Sequence, residues 1–116
     1  EEARRRIGQA LDELAARGLL SDERAAESLL AHQGQRYGTR RLKQTLLARG
    51  LPTDVVAHTL AQSRATEFER AREVWRRRFG EPAVDAAGRA RQMRFLAGRG
   101  FDPEIIRRLV RGTEDD

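Results

Sequence analysis

Cysteine is absent from this chain, which excludes a disulfide framework, thiolate metal sites and a cysteine nucleophile. Aromatic residues make up only 5% of the 116, so any core must rest on Leu, Ala, Val and Ile. No apolar run approaches the roughly 20 residues that a membrane-spanning helix needs. A basic n-region followed by an apolar h-region is also missing from the start, which argues against a secretory signal. Together these absences fit a cytoplasmic protein most simply. Lysine is almost absent, with Lys43 the only one among 23 basic residues. Proline occurs three times, at Pro52, Pro82 and Pro103, and each marks a helix boundary.

What is present is charge and helical period. Charged residues account for 35% of the chain and the formal net charge is +5, which suits a polyanionic partner, either nucleic acid or an acidic protein surface. The arginine excess has a bland alternative in the codon usage of a G+C-rich genome. Ile7, Leu11 and Leu14 share one helical stripe, and Gly18 reads as its C-terminal cap, followed by Ser21 as the N-cap of a second helix. The second helix carries Ala26, Leu29 and Leu30 and fades into the turn from Gly34 to Gly38. A third runs from Thr39 through Leu42 and Leu46 to Gly50, and a short fourth restarts at Pro52 and ends near Leu60. A fifth is expected from Thr66 to Phe79, a sixth from Asp85 to Arg99 and a seventh from Pro103 to Val110.

The glycines expose a repeat. Arg49-Gly50-Leu51 corresponds to Arg99-Gly100-Phe101, Val55-Val56 to Ile105-Ile106, Leu46 to Leu96 and Arg41 to Arg91. A long helix precedes the shorter pair in both copies, so the unit is three helices used twice. The expected fold class is all-α: tandem repeats of a three-helix unit in an elongated array, straight or curved. Residues 1–20 form the last helix of an incomplete first unit, 21–64 a second unit, 65–112 a third, and 113–116 a frayed tail.

Three stretches in order, "LDELAARGLLSDERAAESLL", "YGTRRLKQTLLARGLP" and "RQMRFLAGRGF", resemble the RecX family of RecA regulators. Gly38, Arg41, Leu42, Leu46, Arg49, Gly50 and Leu51 match the family's middle element. Arg94, Phe95, Leu96, Arg99, Gly100 and Phe101 match its closing one. Ser21-Asp22 stands where the family more often has two acids, Ala25 stands where an aromatic is common, and the family's N-terminal helices have no counterpart here. The resemblance implies a non-enzymatic protein that lodges along the RecA nucleoprotein filament. It also implies restraint of strand exchange, ATP hydrolysis and co-protease activity in the SOS response. The implied partners are the filament and single- or double-stranded DNA, weakly or within it, with no cofactor, membrane or small-molecule substrate.

The residues themselves give the candidate surface. From Ser28 to Thr53 no acid offsets Arg36, Arg40, Arg41, Lys43 and Arg49, whereas a merely solvated helix usually interleaves both signs. The equivalent helix repeats the pattern with Arg89, Arg91 and Arg94 and no acid from Ala86 to Phe101. Arg76 and Arg77 either extend this stripe or lie on an ordinary solvated face. Arg49 and Arg99 suit the negative end of a helix dipole, and Gly18, Gly50 and Gly100 read as structural caps. Tyr37 either stacks on a base or partner or packs over a helix end. Trp75 belongs to the core or anchors an interface. His32 and His58 lack a second ligand at metal spacing. Glu67, Glu69 and Glu73 read as surface electrostatics among arginines, not an acid/base pair. A stand-alone basic helical DNA-binding module is the competing reading.

Overall fold

Between Pro52 and Gly80 the sequence contains neither glycine nor proline, and nearly all of that interval is one helix. The computed structural model describes residues 1–111, and among them it shows five helices and no strand. They are α1 (Glu2–Gln33), α2 (Thr39–Ala48), α3 (Thr53–Arg78), α4 (Ala86–Gly98) and α5 (Pro103–Arg111). The expected fourth and fifth helices are therefore one, because nothing from Ala61 to Ala65 breaks the hydrogen-bond ladder. The first two are likewise one. Gly18, expected as a cap, lies inside α1, and so does Ser21. The expected tail at residues 113–116 lies outside the described residues.

Gly34 ends α1 with a helical φ of −60°, but three other glycines that follow helices share a feature Gly18 lacks. Gly50, Gly80 and Gly100 have φ of 70°, 78° and 84°. Each is followed within three residues by Pro52, Pro82 or Pro103, which denies the helix a further N–H donor. Asp85 caps α4 by accepting from the Gly88 amide at 2.7 Å, and Asp102 accepts from the Glu104 amide at 2.8 Å at the start of α5.

Two separate cores hang on α3. Its first half contributes Val55, Val56 and Leu60 to a cluster with Ala26, Leu29, Leu42 and Leu46. Its second half contributes Ala71 and Val74 to another with Leu96, Phe101, Ile106, Leu109 and Val110. Burying each large aliphatic side chain in these clusters contributes about 1.5–3 kcal/mol. Trp75 is half-buried at the edge of the second core, and its indole N–H donates to Gln92 at 3.0 Å.

Placing two cores along one helix makes the molecule long. Its extents are 75 × 26 × 19 Å and its radius of gyration is 19.9 Å. A compact chain of this length has a radius of gyration of about 13 Å. The first half of α1 adds to that length without packing. Ile7, Leu11 and Leu14 stay 61%, 61% and 60% exposed.

Candidate functional site

Loop and turn geometry decide where the arginines sit. The turn after α4 docks directly on the start of α2: the Gly38 amide donates to the Arg99 carbonyl at 2.9 Å and the Arg40 amide to the Gly100 carbonyl at 3.1 Å. Backbones this close leave no room for a Cβ. One at Gly38 would strike Gly100 and Phe101, and one at Gly100 would strike Arg41. The contact carries Tyr37 and Arg41 to the end of α4, beside Arg99.

A buried polar network holds the junction. Glu67, on α3, is only 1% exposed. Its carboxylate accepts from the Thr39 hydroxyl and, at 2.7 Å, from the Asp102 amide. The Thr39 hydroxyl also bonds Ser63 Oγ at 2.6 Å. One turn along, Arg70 donates to the carbonyls of Gly34 and Tyr37, both at 2.8 Å, and to Ser63 O at 2.9 Å. Burial pushes the Arg70 guanidinium below its usual pKa, an effect the nearby Glu67 carboxylate opposes. Glu67, read from the sequence as surface electrostatics, is thus a buried acceptor. Its spacing carried the signal: Leu60, Ser63, Glu67, Ala71 and Val74 form one buried stripe at steps of three and four.

The basic residues divide into three settings. Arg36, Arg40, Arg41 and Lys43 are exposed around the N-terminal end of α2, and none pairs with a carboxylate among the described residues. Arg89, Arg91 and Arg94 are equally exposed and unpaired on α4 among those residues. Arg76 and Arg77 differ, since both meet Glu73, at 2.8 and 3.7 Å, and Arg77 also donates to the Gln35 carbonyl at 3.2 Å. Exposed pairs of this kind contribute at most about 1 kcal/mol, but they neutralise part of the charge. The helices α2 and α4 do not pack along one another; both pack on α3, and they meet only where the turn after α4 docks on the start of α2.

Tyr37 sits at the centre of the α2 group. The guanidinium carbons of Arg41, Arg99 and Arg36 lie 4.7, 5.5 and 5.8 Å from its ring centroid. Arg99 therefore does more than face the end of α4. Arg49, at the equivalent place after α2, is exposed and has no such ring beside it.

Other chemistry is sparse among the described residues. A groove of about 800 Å³ between the end of α1 and α3 mixes Glu27, Glu69 and Glu73 with Arg70 and Arg77. It presents no nucleophile next to a base. His32 donates to the Ser28 carbonyl at 2.8 Å, and no group of acidic or histidine side chains among the described residues could hold a metal. No helix is long and apolar enough to cross a membrane.

Comparison with known proteins agrees with this architecture. Models of the second and third three-helix domains of RecX match residues 21–60 and 65–110. The "Regulatory protein RecX" of Leptothrix cholodnii is 47% identical over 105 residues, covering 90% of this chain and 67% of its own. That of Chromobacterium violaceum is 43% identical over 110 residues, 95% of this chain and 71% of its own. That of Ralstonia nicotianae is 42% identical over 104 residues, 90% of this chain and 65% of its own. The chain spans about two thirds of the length of these curated relatives.

Proposed function

Because the chain belongs to the RecX family of regulatory proteins, we propose that it binds the RecA nucleoprotein filament and restrains its recombinase, ATPase and co-protease activities. It acts as a regulator in the cytoplasm, without catalysis or cofactor of its own. The observation that carries the reading is the repetition of an exposed, acid-free basic face, at Arg36, Arg40, Arg41 and Lys43 and again at Arg89, Arg91 and Arg94, on a molecule 75 Å long. A basic face repeated in successive units matches an extended anionic partner better than a compact pocket does. Arg76 and Arg77 belong to the same surface with weakened charge, because Glu73 shares it. The proposed organisation is residues 1–20 from a preceding unit, 21–64 and 65–112 as two successive units, and each boundary within the described residues falls inside a continuous helix.

The test is RecA ATP hydrolysis on single-stranded DNA with increasing amounts of the chain. Inhibition that disappears in the Arg40→Glu/Arg41→Glu/Lys43→Glu variant, with helicity unchanged, supports the reading. Unaltered RecA activity, alongside tight and salt-steep binding to naked DNA, would favour a stand-alone DNA-binding module instead.

A further inference from the structure

The cluster around Tyr37 extends to a second ring. Phe95, on α4, has the guanidinium carbons of Arg99 and Arg78 at 5.1 and 5.3 Å from its centroid. Arg99 thus lies beside both aromatic faces. Phe79 meets Phe95 edge-on, at 5.4 Å and 87°, and fixes that ring in turn. Arg36, Arg78 and Arg99 line a cleft of about 250 Å³ where the α1–α2 loop, the end of α3 and α4 converge. Neither these three nor Arg41 pairs with a carboxylate among the described residues.

Convergence of like charges is unfavourable by itself. Two cations near a protein surface repel by up to about 4 kcal/mol at 4 Å. Stacking on an aromatic face offsets part of this, at about 0.5–1 kcal/mol per exposed pair. Stacking also has a geometric consequence. A guanidinium laid on a ring keeps its N–H groups at its edge, and these remain free for paired oxygens. The rings therefore act as shelves that order several donor forks in advance.

We propose that Arg36, Arg41, Arg78 and Arg99, shelved on Tyr37 and Phe95, form a phosphodiester-binding site for a nucleic-acid strand. The site reads the backbone and not the bases, since both rings are already taken by guanidinium. An acidic protein is the less favoured ligand, because Asp and Glu are depleted at protein interfaces whereas this cleft presents several unpaired cations at once. Interfaces with nucleic acid are polar, wet and strongly basic, as here. The proposal deepens the filament reading and rests on it only for where the strand is met.

The experiment is fluorescence anisotropy of a labelled single-stranded oligo-dT with the full chain over a salt series. Arg41→Gln/Arg99→Gln is expected to weaken binding by roughly tenfold and to flatten the salt slope by about 0.7 for each phosphate left without its arginine. Arg4→Gln/Arg5→Gln removes the same charge far along α1 and should weaken binding less than about twofold. Tyr37→Leu keeps every charge and should lower affinity with little change in slope. If Arg41→Gln/Arg99→Gln loses helicity by circular dichroism, Arg36→Gln/Arg78→Gln, at two exposed side chains, replaces it with the same expectation.

Equal weakening by the α1 control would mean that net charge alone is read, and the proposal falls. It also falls if the oligonucleotide is ignored while a polyglutamate peptide binds through these arginines. Strand binding through the cluster with RecA activity untouched would overturn the filament reading alone. RecA inhibition that survives both arginine pairs, with strand binding undiminished, would overturn this site alone.

Discussion

The carboxylate of Glu67 accepts from the Thr39 hydroxyl at the start of α2 and from the Asp102 amide before α5, so removing it strands the Asp102 amide and leaves the Thr39 hydroxyl only Ser63 Oγ. A buried donor left without a partner costs about 1–3 kcal/mol. Glu67→Ala also empties space in the stripe between Ser63 and Ala71 and should destabilise by about 3–5 kcal/mol, as breaking a buried charged network does. Glu67→Gln keeps an oxygen for the Asp102 amide and offers its NH2 to Thr39, so its cost should stay near 1–2 kcal/mol, or about one hydrogen bond. Urea unfolding of the two variants checks the order; equal midpoints would mean that the charge of Glu67 alone matters, and neither the filled volume nor the hydrogen bonds that Gln retains. The buried stripe was legible in the sequence as a period of three and four. That it would include a carboxylate was not, because an acid among arginines on one helix reads as surface pairing until the partners on other elements are known.

Arg-Gly-apolar occurs three times in the sequence, and only two of its glycines end helices. Gly50 and Gly100 take left-handed φ ahead of a proline, whereas Gly18 stays helical. A cap signal is local, and continuing the hydrogen-bond ladder outweighs it unless the following residues cannot donate. The repeat and nearly every core position were legible from apolar spacing. The fusion of neighbouring helices was not, since Gly18-Leu19-Leu20-Ser21 looks the same whether or not the ladder runs through it. Gly18→Ala should therefore stabilise α1 locally by about 0.5–1 kcal/mol. A Cβ there meets nothing. The gain belongs in amide exchange around Gly18, because the unpacked first half of α1 opens without the cores. Gly50→Ala and Gly100→Ala share an unfavourable φ, at about 1–2 kcal/mol each. A Cβ at Gly100 additionally meets Arg41, and one at Gly50 meets nothing, so Gly100→Ala should lower the melting temperature clearly further. Equal shifts would mean that the turn after α4 is not held against α2.

At the scale of the molecule, two cores share no buried residue, yet both are built on α3. The coupling between them passes through the middle of that helix and through the Glu67 and Arg70 network beside it. An unbroken α3 should make the cores unfold together, with calorimetric and van't Hoff enthalpies that agree. Arg64 is exposed, lies between the halves and pairs with no carboxylate among the described residues, so it separates continuity from packing. Arg64→Ala should leave the enthalpy ratio unchanged and stability within about 0.5 kcal/mol of the parent. Arg64→Pro removes a hydrogen bond and clashes with the preceding turn, at about 3 kcal/mol or more. The proline variant should unfold in two steps, with a van't Hoff enthalpy below the calorimetric one, and its scattering should depart from that of a rod with a 19.9 Å radius of gyration. Two separate transitions in the parent protein would show that α3 joins the units without coupling them. The basic faces would then be presented on independently moving halves, and an extended partner would have to supply the alignment that the helix otherwise provides.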